Sequence, residues 1–71
     1  MADPNSRLKI AFVGRNRASI PTVRVDLVYA LNGEPVATFT QKIIHRADIS
    51  EAQAKAESLL KQGSVHEIRQ L

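Results

Sequence analysis

Cysteine and tryptophan are absent from this chain, and glycine and proline occur only three times each. Without cysteine there is no disulfide staple and no thiolate metal site. Aromatic residues are few: Phe12, Tyr29 and Phe39. Modules that stack nucleic-acid bases need exposed Phe, Tyr or Trp. All three aromatics fall on the stripe that the sequence pattern assigns to the core, which counts against single-strand binding. No apolar run approaches the ~20 residues of a membrane span. The opening segment, Met1 to Arg7, is polar and lacks the apolar stretch of a secretory signal. The expected location is therefore the cytoplasm, with no membrane partner. Charge of one sign does not dominate either. Ten Lys/Arg against seven Asp/Glu give a formal +3, which permits nucleic-acid binding without demanding it.

What is present bounds the fold. A chain of 71 residues is one domain. At this size only about 60% of the unfolded surface is buried on folding, and a core rarely supplies more than ~3–5 kcal/mol. The reading divides the chain into a flexible N-terminal arm, residues 1–7, and one small α+β domain, residues 8–71.

The stretch Val23 to Phe39, VRVDLVYALNGEPVATF, carries the clearest local signal. Val23, Val25, Leu27, Tyr29 and Leu31 alternate with Arg24, Asp26, Val28 and Ala30, which is the period of a half-buried strand. Asn32-Gly33 is the strongest short hairpin signal. A two-residue loop would pair Leu31 with Glu34 and, carried on regularly, would put Phe39 on the face opposite the Val/Leu stripe. A three-residue loop pairs Val25 with Phe39 and Leu27 with Ala37, keeping the apolar set together. The sequence therefore predicts the longer loop, a type I turn with Gly33 in a left-handed bulge position.

Leu8, Ile10 and Phe12 predict an earlier strand, separated from the hairpin by the loop Gly14 to Pro21, GRNRASIP. The third strand is expected to run on to Ile43 or Ile44. Beyond it the period changes: Ile49, Ala52, Ala56, Leu59 and Leu60 form one helical stripe. Asp48 with Glu51 has capping-box spacing, Ser50 with Gln53 offers a second choice, and Gly63 is a helix stop. Val65 to Gln70 reads as a short last strand. The expected fold is thus α+β, order β-β-β-α-β: a small antiparallel sheet of three or four strands with one helix on one face. The expected core is Leu8, Ile10, Phe12, Val23, Val25, Leu27, Tyr29, Ala37, Phe39 and the helical stripe.

Sites for chemistry are scarce. His45 stands beside Arg46 and Asp48, and His66 beside Glu67. A histidine with a carboxylate can act as a base or metal ligand, but neither pair has motif spacing. Ser19, Ser50 and Ser58 lack a nucleophile elbow. Gly14-Arg15-Asn16-Arg17 lacks the second glycine and the Lys-Ser/Thr of a phosphate loop. No enzyme activity, cofactor, metal or small-molecule substrate is expected.

Two surfaces remain. If the odd positions of strands two and three face the helix, the other face presents Ala11, Val13, Val28, Ala30, Val36, Thr38 and Thr40. An open antiparallel face is normally polar, and an apolar patch rimmed by charge marks an interface; the plainer reading is a scatter of small side chains. The second surface is basic: Arg15 and Arg17 in the first loop, with Arg24, Lys9 and Lys42. It reads as phosphate contacts or as a solvated loop protecting a sheet edge. The first expectation is a non-enzymatic interaction or regulatory protein that binds a protein partner or self-associates, as a homo-oligomer, through its open sheet face or an edge strand. The alternative is a nucleic-acid-binding accessory protein using the basic loop.

Overall fold

A computed structural model describes residues 5–71. The elements are β1 (Asn5–Arg15), β2 (Pro21–Leu31), β3 (Glu34–His45), α1 (Ile49–Lys61) and β4 (Glu67–Gln70). They form one four-stranded sheet in the order β3-β2-β1-β4, with α1 lying over β1, β2 and β4. The expected α+β fold and element order are therefore observed. The sheet is mostly antiparallel, but β4 joins β1 in parallel. A parallel neighbour requires a crossover connection, and α1 supplies it. Residues 1–4 lie outside the described residues. Asn5 to Arg7, expected in a flexible arm, are the first residues of β1.

The hairpin turn corrects the expected register. Asn32 has φ 52° and Gly33 φ 84°, the paired positive values of a two-residue type I′ turn. Leu31 pairs with Glu34 across it. The apolar faces still match because β3 carries irregularities further along. Tyr29 opposes Ala37 while Ala30 opposes Pro35, which leaves Val36 as an extra residue; Gln41 is skipped in the same way between Thr40 and Lys42. The Val36 bulge moves Phe39 back to the Val/Leu side, opposite Leu27. The turn itself was chosen by its two residues, and the register was repaired two positions later.

The helix begins at Asp48, whose carboxylate accepts from the Glu51 amide at 3.0 Å. It ends in a Schellman arrangement. Gly63, at φ 78°, donates its N–H to Leu60, and Ser64 donates to Leu59.

The core has no aromatic ring. Ala11, Val13, Val23 and Val25 of the sheet meet Ala52, Ala56 and Leu59 of α1, with Val65 beside them and Ile44, Ile49 and Ile68 at the margin. Ala11 and Val13, expected on the open face, are thus buried beneath the helix, and Leu8, Ile10 and Phe12 take the opposite side. Alanines on α1 bring its backbone close to the sheet, which fits the smaller pair of β1 side chains and not the larger set. Leu60, expected in the stripe, lies on its flank and is 42% exposed.

Length decides what else is covered. Thirteen helical residues span about 20 Å, whereas the 11 and 12 residues of β2 and β3 span roughly 37–40 Å. About half of the helix-side face is left bare. Tyr29 and Phe39, expected in the core, stand there 36% and 57% exposed.

Candidate functional site

The sheet offers two candidate surfaces, and β1 register separates them. The open face carries Leu8, Ile10 and Phe12 opposite Val28, Asp26 and Arg24. Beyond β2 lie Thr38, Thr40 and Ile43. Leu8, Ile10, Phe12, Val28, Ala30 and Pro35 line a groove of about 520 Å³. Of the residues expected on this face, Val28, Ala30, Thr38 and Thr40 are there. Val36 is the bulged residue of the β3 edge and does not face Val28, whose partner is Thr38.

The charges on this face are satisfied locally. Asp26 is buried, although no helix covers it. Its Oδ1 accepts from Arg24 Nε at 3.2 Å and from Thr40 Oγ1 at 3.0 Å. The Arg24 guanidinium lies 4.9 Å from the centroid of the Phe12 ring, a cation–π contact. Arg69 and Glu67, on the neighbouring β4, pair twice, at 2.9 and 3.2 Å. Towards the far end, Ile43 and Leu71 are exposed beside Arg17, Arg24 and His45. Leu71 sits over Gly14, where a Cβ would meet the Leu71 Cβ at 3.0 Å.

The second surface is the bare half of the helix-side face. Its cross-strand rungs are Leu31–Glu34 beside the turn, Arg7–Tyr29–Ala37 and Lys9–Leu27–Phe39; Ala11–Val25–Lys42 follows at the helix margin, where Ala11 and Val25 are already buried and Lys42 is exposed. The Tyr29 and Phe39 rings meet edge to face, 5.9 Å between centroids and at 83°. Sequence periodicity placed both rings in the core; the signal that would have exposed them is the mismatch between helix and strand lengths.

The basic residues of the sequence reading do not form one patch. Lys9 and Lys42 lie near the C-terminal end of α1. Arg24 and Arg17 belong to the open face. Arg15 bonds the Ser19 carbonyl at 3.1 Å and adds a small electrostatic pull on Asp48. Their loop is tightly tied: Asn16 Oδ1 accepts from the amides of Ala18 and Ile20.

The histidines have structural surroundings. His66 Nδ1 accepts from the Lys9 amide at 2.9 Å, continuing the strand ladder with a side chain. His45 ends β3 opposite Thr22. No group of three His, Cys, Asp or Glu residues suited to a metal occurs among the described residues. No helix among them is long and apolar enough to cross a membrane.

The chain matches no family model, no curated protein and no solved structure.

Proposed function

We propose that this is a cytoplasmic, non-enzymatic interaction protein that pairs with a second copy of itself through the open face of its sheet. The observation that carries the reading is an apolar face whose central charges are already matched, with Arg17 at its end. Arg24 is held by Asp26 and Arg69 by Glu67. The centres of two such faces can meet without confronting unpaired like charges, and a matched pair is cheaper to cover than a free ion. The size fits as well. The molecule measures 42 by 25 Å across its broad side, on the order of 1,000 Å², against the ~800 Å² per partner of a standard interface. A small domain without disulfides also gains stability by association. The absence of cysteine suits a reducing compartment.

The test is the oligomeric state. Sedimentation equilibrium of the full chain should give a dimer. Val28→Lys with Ile43→Glu charges the open face while leaving the helix side intact, and should give a folded monomer by far-UV circular dichroism. A parent chain that sediments as a monomer, or a double variant that sediments like a dimeric parent, defeats the reading.

A further inference from the structure

The bare helix-side surface has a different chemistry from the open face. On these rungs stand Arg7, Lys9 and Lys42, against the single carboxylate of Glu34 at the hairpin end. None of the three cations makes an ion pair among the described residues. The last carbonyls of α1 are taken by Gly63 and Ser64, so they do not require the lysines. A second copy would bring the same three charges against these, which disfavours self-pairing here. Charge complementarity calls for a polyanion.

The aromatic pair specifies which polyanion. Phe39 is more than half exposed on the outer strand β3, beside Leu27 and Tyr29 of β2. With ring planes at 83°, the edge of one ring rests on the face of the other and props it, and Phe39 is the more exposed of the two. Its exposed surface accepts one flat, apolar-faced group, with Tyr29 beside it. Nucleobases are flat, and base stacking on aromatic rings tolerates any sequence. Cations stand on both sides: Lys9 and Arg7 on β1, Lys42 on β3. A duplex hides its bases and cannot use this ring.

We propose that this surface binds single-stranded nucleic acid. One base stacks on Phe39 beside Tyr29, and the flanking phosphates meet Arg7, Lys9 and Lys42. The proposal uses the face opposite the dimer surface and stands independently of it.

The chain carries its own probe. Tyr29 is the only tyrosine and there is no tryptophan, so intrinsic fluorescence reports the aromatic pair alone. The full chain is titrated at low salt with oligothymidylate and oligouridylate of about 12 nucleotides, within the usual site-size range. Both should quench Tyr29; a preference for either assigns DNA or RNA as the source of the strand. Phe39→Leu should weaken binding about five-fold or more. Lys9→Gln with Lys42→Gln should lower the slope of log K against log salt by roughly 1.4, two single-strand phosphate contacts. Absence of quenching overturns the proposal. So does equal quenching by a duplex or by polyglutamate, which would mark a plain charge effect or an acidic-protein site. Undiminished affinity in folded Phe39→Leu also overturns it. Should Phe39→Leu not fold, the lysine variant decides, and an unchanged salt slope is then the refuting result.

Discussion

His66 grips the backbone of Lys9 at two points: its amide donates to the Lys9 carbonyl at 2.8 Å, and its ring Nδ1 accepts from the Lys9 amide at 2.9 Å. The residues are 57 apart in sequence. A side chain thus extends the β1–β4 ladder beyond its first strand pair, Ile10 with Glu67.

His66→Ala should therefore destabilise the fold by about 1 kcal/mol, the net worth of one hydrogen bond. Urea unfolding would show it as a lower midpoint with unchanged slope. The Lys9 amide should also exchange faster. Parent-like exchange at Lys9 would mean that the ring nitrogen does not hold it.

Gly33→Val should cost about 1 kcal/mol or more, because a β-branched residue resists the positive φ of the type I′ turn. The introduced side chain meets open space, so the effect isolates backbone strain from crowding. An unchanged unfolding midpoint would contradict this turn geometry.

Asp26→Ala removes the acceptor shared by Arg24 and Thr40. Arg24 would be left over Phe12 without a counter-charge, and the expected cost is about 1–3 kcal/mol. Asp26→Asn keeps an oxygen acceptor and should lose less. Equal losses in the two variants would show that the carboxylate charge facing Arg24, which both remove, matters at this position and the retained amide oxygen does not.

The Asp48 carboxyl is held below its ordinary range, first by the Ser50 hydroxyl bond and then by the Glu51 amide; the nearby Arg15 charge adds a smaller effect. A carboxyl with a lowered folded-state pKa stabilises fully above the ordinary carboxylate range. That contribution is lost as pH falls through the lowered value. Acid titration of the helical circular dichroism should show this loss, and Asp48→Asn should remove that component. Superimposable acid profiles would show that the cap does not depend on charge.

Local features of this fold were legible in the sequence and non-local ones were not. The Asp48 cap and the Gly63 stop depend on a few adjacent residues and appear where those residues indicate; the Asn32-Gly33 turn lies where expected but as a two-residue type I′ turn in place of the expected three-residue loop. The face of β1 was ambiguous because both sets, Leu8/Ile10/Phe12 and Ala11/Val13, are apolar. Only the closeness of an alanine-faced helix selects the smaller set. The Val36 and Gln41 irregularities leave no local mark; the two-residue turn and the Val36 bulge together replace the Val28–Val36 pairing that the three-residue loop implied by Val28–Thr38. Of the open face, Val28 and Ala30 were readable from period two, whereas Thr38 and Thr40 lie there because the Val36 bulge offsets the two-residue turn. The Tyr29–Phe39 pair was hidden by the same period, which reports which residues share a face but not how far a helix reaches along it.

The irregularities of β3 bear on solubility as well as register. β3 is an outer strand of 12 residues, long enough to template endless addition of further chains. Skipping Val36 and Gln41 leaves it no regular stretch longer than four residues. Pro35 has no amide hydrogen to offer, and Lys42 adds a charge. Fibril-forming segments need about six or seven uninterrupted residues. The apolar ribbon can therefore stay uncovered in the free chain without becoming a seed for fibre growth.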